Sequence, residues 1–392
     1  MNKDSWLLPE GIEEVLPPQA KFLESRRRQL LDLYHCWGYE LVIPPFIEYL
    51  ESLFIGTAHD LDLQTFKLTD QLNGRMMGVR ADMTPQVARI DAHQLRRATP
   101  TRLCYMGTVL HTRPDGFGAS RAPLQIGIEL YGHQGVESDV EVFRLMVETL
   151  RACHIEQAYF DLGHVGIFRG LAAQAGLDAE QEAELFDALQ RKAKPEIAAM
   201  LGQWQLEPGV AAMLSTLADL NGGDEVIQRS GSLLQDASAE VKSALGNLQQ
   251  VAEAIKQGIP GISLHYDLAE LRGYHYHTGV VFAAFVPGKG TAIAQGGRYD
   301  GIGKAFGNAR PATGFSTDLK TLLALAPATM VKNAGIFAPC LPDQELNELI
   351  RVLRTKGERV VCALPGQQGD ARAMQCDREI VKQGRQWVVK QI

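Results

Sequence analysis

Leu124-Gln-Ile-Gly-Ile-Glu-Leu-Tyr-Gly132 alternates between two chemistries. Successive side chains of an extended chain point to opposite faces, so Leu124, Ile126, Ile128 and Leu130 share one face and Gln125, Gly127, Glu129 and Tyr131 the other. The apolar face calls for a layer of helices. The polar face offers an amide and a carboxylate, read from the spacing as about 7 Å apart, with a glycine between them leaving room. That is the shape of a floor for a small polar ligand. An antiparallel sheet with one face in water would show the same alternation.

Two further stretches favour the ligand floor. Val79-Arg80-Ala81-Asp82-Met83-Thr84-Pro85 sets an acid and a hydroxyl just after a strand pattern, and Leu271-Arg272-Gly273-Tyr274-His275-Tyr276-His277 sets an arginine and two tyrosines just before another. A free amino acid needs an anion for its ammonium group and a cation, preferably a forked guanidinium, for its carboxylate. An imidazole side chain also needs an acceptor for its N–H. Asp82, Arg272 and Glu129 can supply the three in turn. His275 and His277 lie two apart without a third ligand nearby or a zinc spacing, so no metal is expected. Gly296-Gly-Arg-Tyr-Asp-Gly301 reads alone as a turn or a close backbone approach.

Outward from this strand the chain reads as mixed strands and helices, an α+β or α/β core rather than a simple doubly wound sheet. Leu16-Pro17-Pro18 leads into a helix with Phe22, Leu30, Leu33, Tyr34 and Trp37 on one stripe, ended by Gly38. Strands are expected at 39–43, 75–80, 102–111 and 124–132. Ser138-Asp-Val-Glu141 reads as a capping box opening a helix through Val142, Leu145, Met146 and Leu150. From about 176 to 258 the texture turns to Ala, Gln, Glu and Leu at helical spacing. This reads as a helical insertion, with Asp178-Ala-Glu-Gln181 a helix start and Val241, Ala244, Leu248, Val251 and Ile255 one face of its last helix. Strand patterns return at 278–286 and 291–294. A last α/β unit over 332–392 reads strand, helix, strand, short helix and a final strand. The expected domains are therefore 1–325, including the insertion, and 332–392.

Composition narrows the function. At 392 residues, 45% hydrophobic and 22% charged, the chain has the make-up of a soluble globular protein of two or three domains. A net charge of −7 argues against a phosphate-gripping surface. The basic candidates are Arg26-Arg27-Arg28, read as a solvated helix face, and Arg96, Arg97 and Arg102. Six scattered cysteines without a C-x-x-C pair read as reduced thiols. No apolar signal core or run of ~20 apolar residues is present, so a cytoplasmic protein without membrane contact is expected.

Taken in order, five signatures resemble the histidyl-tRNA synthetase family over roughly residues 6–325. Leu8-Pro9-Glu10-Gly11 resembles the family's opening, and Trp37-Gly-Tyr-Glu-Leu-Val-Ile-Pro-Pro45 looks like motif 1 of class II synthetases. Tyr105-Met-Gly-Thr-Val through Glu129-Leu-Tyr-Gly132 resembles motif 2. Arg272-Gly-Tyr-His-Tyr-His277 is similar to the histidine-specific Arg-Gly-Leu-Asp-Tyr-Tyr signature, and Ala294-Gln-Gly-Gly-Arg-Tyr-Asp-Gly301 to the glycine-rich Arg-Tyr-Asp-Gly strand. The resemblance implies a class II antiparallel sheet flanked by helices and a homodimeric core. It also implies a histidine pocket of Asp82, Thr84, Gln125, Glu129, Arg272 and Tyr276, with Tyr276 or His277 facing inward.

Departures from the family pattern fall on the ATP side. The family's Phe-Arg-x-Glu of motif 2 is Leu110-His111-Thr112-Arg113 here, so His111 stands for an arginine and Arg113 for a glutamate. The Gly-Leu-Glu-Arg of motif 3 is Asp318-Leu319-Lys320-Thr321, with Thr321 in the arginine's place. Adenylation depends on positioning and charge stabilisation, and a fixed guanidinium is worth ~10³ or more in rate. A ligand pocket kept beside a degenerate ATP site resembles the regulatory subunits of ATP phosphoribosyltransferase. That resemblance implies a non-catalytic, cofactor-free chain, a short-form catalytic partner, feedback by histidine and no tRNA binding. Two alternatives stay open: an active aminoacyl-transferring enzyme with ATP contacts re-sited through Arg113 and Arg121, and a tRNA-binding module.

Overall fold

A computed structural model describes residues 6–54, 59–114, 120–270, 273–274, 276–307, 309–326 and 335–392. The chain divides into Met1–Pro327 and Ala328–Ile392.

The first unit contains β1 (Glu40–Leu41), β2 (Ile47–Tyr49), β3 (Lys67–Thr69), β4 (Met76–Val79), β5 (Thr101–Thr108), β6 (Leu124–Tyr131), β7 (Tyr159–His164), β8 (Asn221–Gly222), β9 (Leu264–Asp267), β10 (Val280–Phe285), β11 (Ala294–Arg298) and β12 (Ala312–Asp318). Nine of them form one sheet in the order β1-β5-β6-β12-β11-β10-β7-β9-β8. Its pairings are antiparallel except for β1 with β5 and β7 with β9. The architecture is the expected class II type: α+β, a large antiparallel sheet with helices packed on it.

The alternation in β6 sets the two faces. Ile126, Ile128 and Leu130 are almost fully buried, in one cluster with Leu30 and Tyr34 of the helix Gln19–Cys36 and Val142, Leu145 and Met146 of the helix Val136–Ala152. Burying each such side chain contributes roughly 1.5–3 kcal/mol, so this face holds β6 as an interior strand, between β5 and β12. The opposite face is left for the site. A smaller sheet, β2-β4-β3, feeds into it, because β4 runs directly into Arg80-Ala81-Asp82. Arg80 fastens the two sheets: Nε donates to Thr108 O at 2.9 Å and Nη1 to Pro44 O at 2.8 Å.

The insertion consists of the helices Ala179–Gln190, Lys194–Gln203, Pro208–Thr216, Glu225–Leu233 and Ala239–Gly258, with β8 between the third and fourth. Asp178 starts a helix as expected, through a capping box with Gln181, and Ser238 caps the last helix. Ser138 does not start a helix. That helix begins at Val136, and the Ser138 hydroxyl instead donates to Gly135 O at 2.7 Å and receives Arg298 Nη2 at 2.8 Å. Glu141, the other half of the expected box, takes Arg102 and the Tyr39 hydroxyl. β1 covers two residues of the expected strand 39–43, and the expected strand 291–294 lies later, as β11. The basic stretches are paired: Arg27 and Arg28 with Glu24, Arg97 with Glu40, and Arg102 with Glu141. No helix among the described residues is long and apolar enough to cross a membrane.

The second unit adds β13 (Ile336–Ala338), β14 (Val360–Cys362), β15 (Arg378–Gln383) and β16 (Gln386–Gln391) in the order β14-β13-β15-β16. Leu346 and Ile350 of the helix Gln344–Thr355 pack on Ile336, Ala338 and Ile380. Where a short helix was expected before the last strand, the chain runs through turns into a β15–β16 hairpin, with Gly384 at φ +61°. Glycine reaches that left-handed conformation at no steric cost.

Arg298 closes β11 against the helix Val136–Ala152. It is 7% exposed and pairs with Asp139, 1% exposed, at 2.9 Å, while also donating to His133 O and Gly135 O. Removing one partner strands a buried charge. We therefore expect Arg298→Ala to lower unfolding free energy by about 3–5 kcal/mol, read as a fall in the urea midpoint; a loss under 1 kcal/mol would contradict this account.

Candidate functional site

Cross-strand register builds the site. Glu129 of β6 lies opposite Leu103 of β5 and Gly314 of β12, Gly127 opposite Tyr105 and Ser316, and Gln125 opposite Gly107 and Asp318. Glu129 and Gln125 are four residues apart, so they stand roughly 13 Å apart along the strand, not the 7 Å expected above. The room that Gly127 leaves is also taken up from within. A Cβ there would lie 2.4 Å from the Tyr105 hydroxyl, so this glycine makes way for a tyrosine rather than for a ligand.

A chain of hydrogen bonds bridges the two ends. Gln125 Nε2 donates to Asp82 Oδ1 at 2.7 Å, and its Oε1 accepts from Met83 N at 3.0 Å. Asp82 Oδ1 also receives Thr84 N at 3.0 Å, where the helix Thr84–Arg89 begins. Thr84 Oγ1 lies 3.1 Å from Tyr105 Oη, which in turn donates to Glu129 Oε1 at 2.9 Å. Tyr299, just beyond β11, donates to Glu129 Oε2. Asp82, Thr84, Gln125 and Glu129 thus form one connected network. Tyr105 and Tyr299 belong to it too, although sequence reasoning did not pick them as site residues. Applying the period-two alternation to β5 as well as to β6 would have found Tyr105. Tyr299 lay within the motif at 296–301 without any signal to mark its target.

Glu129 is 2% exposed, and burial pushes its carboxyl up to about 8, against the two tyrosine hydrogen bonds that favour its ionised form. Burial likewise pushes His277 down to about 4; the ring is 5% exposed and its Nδ1 faces Arg298 O at 3.2 Å. His277 is a satisfied histidine of the pocket wall. Tyr276 is 38% exposed, its ring centroid 4.1 Å from that of His277 and 6.1 Å from that of Tyr299. The strand parity left open which of the two faces inward, and both line the cavity. Gly273, at φ +65°, makes their turn, and Arg169 Nη2 secures it by donating to Tyr274 O at 2.9 Å and His277 O at 3.2 Å. Arg272 and His275 lie outside the described residues.

The cavity above this face has a volume of about 1130 Å³. Asp82, Thr84, Gln125, Glu129 and Tyr276 line one part, and His111 and Thr321 also line it. His111 Nε2 lies 2.9 Å from Ala81 O, and Thr321 Oγ1 donates to Asp318 Oδ2 at 2.8 Å. Arg113 is exposed and is not part of the cavity lining. Arg121 stacks its guanidinium 5.2 Å from the Phe66 ring and donates to His111 O at 3.0 Å and Glu10 O at 3.1 Å. The arrangement is a polar floor with the Asp82 carboxyl at one end and the buried Glu129 carboxyl at the other.

A sheet of this order carrying this pocket defines a histidyl-tRNA synthetase-type domain. The sequence model of the histidyl-tRNA synthetase family matches residues 11–322, and that of the "ATP phosphoribosyltransferase subunit HisZ C-terminal domain" matches residues 333–390. The chain belongs to the family of ATP phosphoribosyltransferase regulatory subunits. It is 60% identical over 390 residues to the regulatory subunit of Thioalkalivibrio sulfidiphilus, covering 99% of each chain. It is 56% identical to that of Alkalilimnicola ehrlichii, covering 99% of this chain and 98% of the relative. Among solved structures, an ATP phosphoribosyltransferase regulatory subunit/histidyl-tRNA synthetase from Bacillus halodurans superposes with a TM-score of 0.84 at 28% identity, over 94% of this chain and 96% of that one. The histidyl-tRNA synthetase of Nostoc, at 19% identity and a TM-score of 0.77 over 96% and 91% of the two chains, shares the fold.

Gly314 is what lets Glu129 lie flat: a Cβ there would come within 1.7 Å of Oε2. Gly314→Ala should therefore destabilise the fold by about 1–3 kcal/mol through overpacking. Gly246→Ala, where the added methyl meets open space on the helix Ala239–Gly258, should be neutral or stabilising by up to about 1 kcal/mol. Thermal or urea unfolding of the two variants side by side checks the contrast.

Proposed function

We propose that this chain is a non-catalytic, cofactor-free regulatory subunit of ATP phosphoribosyltransferase. In this reading it joins a short catalytic subunit for the first step of histidine biosynthesis, and it senses free histidine in the pocket of Asp82, Thr84, Gln125, Glu129, Arg272 and Tyr276. The observation that carries the reading is the contrast within one cavity. The amino-acid side is a connected polar network, whereas the two positions that resemble phosphate arginines hold His111 and Thr321. Their polar groups are already engaged, by Ala81 O and Asp318. A transferase with re-sited contacts is less well supported, because Arg121 is committed to Glu10 O and His111 O and Arg113 points to solvent. A homodimeric core through the segment that resembles motif 1 fits its exposed apolar side chains, Leu41 at 48% and Ile43 at 81%. Cytoplasmic residence and the absence of tRNA binding belong to the same reading.

Sensing requires histidine to bind two states of the assembly with different affinity. Coupling of ~1–3 kcal/mol corresponds to roughly 5–150-fold. The test is phosphoribosyl-ATP formation by the catalytic subunit, with and without this chain, across a histidine titration. Added chain should raise the rate, and histidine should lower it. Arg272→Ala should abolish histidine binding in calorimetry, and Glu129→Ala should preserve assembly while moving inhibition to much higher histidine. An unchanged inhibition curve in Glu129→Ala would place the regulatory site elsewhere.

The same reading expects no histidine-dependent ATP–pyrophosphate exchange above background. Exchange that disappears on substitution of Glu129 would overturn it and restore the enzyme.

A further inference from the structure

One turn of the chain faces two ways. Gly273 O accepts from Tyr276 N at 3.0 Å and from His277 N at 2.8 Å, and the side chains of Tyr276 and His277 line the cavity. A Cβ on Gly273 would come within 2.5 Å of the His277 ring and 2.7 Å of the Tyr276 ring, so the turn is packed tight against both. Tyr274, between them in sequence, is 5% exposed and points into the insertion. Its ring centroid lies 5.4 Å from that of Phe168 and 5.3 Å from that of Phe186, with the Arg169 guanidinium 4.8 Å from it. Its hydroxyl donates to the Glu182 carboxylate.

Glu182 and Phe186 are four apart on the helix Ala179–Gln190, so they share a face and hold the ring at its tip and its side. Among the described residues, none of this helix lines the cavity. A hydrogen bond to a charged acceptor is roughly twice as strong as a neutral one, and a ring enclosed in this way does not turn independently of its neighbours. Two residues further on, the same tight turn carries Tyr276 over the pocket floor. The link between helix and pocket is therefore short and has little slack.

We propose, on the histidine-sensing reading above, that the Tyr274–Glu182 contact couples the pocket to the helix Ala179–Gln190, with Glu182 a positioning residue for a ligand it never touches. Occupancy that moves Tyr276 then moves the helix. By linkage, a state of the assembly that holds the helix differently changes histidine affinity by the same factor. Such a difference between states is what sensing requires.

The experiment is backbone hydrogen exchange of the full chain with and without saturating histidine, beside calorimetric titration of the wild type and four variants. In the wild type, histidine should slow exchange both in β6 and in the helix Ala179–Gln190. Tyr274→Phe keeps the ring and loses only the hydroxyl, and Glu182→Ala removes the acceptor. Each should weaken histidine binding roughly 5–20-fold. The double variant should lose no more than either alone, because both changes remove the same bond. Glu182→Gln keeps an acceptor and should recover most of the affinity. At saturating histidine, Tyr274→Phe should still show slowed exchange in β6 but no longer in the helix, a split that a merely structural role does not produce. Wild-type affinity in both single variants, losses that add in the double variant, or a wild-type helix indifferent to histidine overturns the proposal while leaving histidine sensing intact. The last of these needs no variant to fold. Absence of histidine binding by the wild type overturns both.

Discussion

A carboxyl group buried in the middle of a sheet is the constraint around which this pocket is arranged. Glu129 cannot be left dry without partners, since an unpaired buried polar group costs several kcal/mol. Two tyrosines from different parts of the chain supply them. Tyr105 needs clearance, which Gly127 provides, and Glu129 itself needs that of Gly314, neither glycine having a side chain. The glycines in turn must sit opposite their neighbours in register, and the apolar face of β6 fixes that register because a one-residue slip would turn Ile126, Ile128 and Leu130 outward. Burial on one face and hydrogen bonding on the other thus specify the same alignment.

The sequence exposed part of this and hid part. The alternation in β6 was readable because a half-buried strand must show it, and the Asp178 cap because a local hydrogen bond needs only local residues. Ser138 failed for the opposite reason. Its hydroxyl answers to Arg298, 160 residues away, and the helix had already begun at Val136. The space at Gly127 was misread as a ligand's because nothing in β6 alone says that Tyr105 lies across it. Tyr105 and Tyr299 acquire their roles only through cross-strand register and a loop after β11. The position of Arg272, central to the sequence reading, lies outside the described residues.

The synthetase-type sheet holds its polar network with few local elements. The polar network at Asp82, Thr84 and Gln125 is held by backbone geometry at the start of a helix and by one amide. His111 and Thr321 meet the same segments from the other side, His111 at Ala81 O and Thr321 at Asp318, which lies opposite Gln125 in register.

Arg169 joins the pocket to a more distant part of the molecule. It grips the carbonyls of Tyr274 and His277 from the helix Val165–Ala175, and that helix packs against Pro208–Thr216 and Ala239–Gly258 of the insertion. The insertion is therefore a buttress for the pocket's lip rather than a passive appendage. Its apolar positions serve two ends at once, their own packing and the support of the helix that carries Arg169. Drift in this Ala- and Gln-rich stretch should be freest on its solvent side, and the long-term divergence of ligand preference can begin in helices that never touch a ligand.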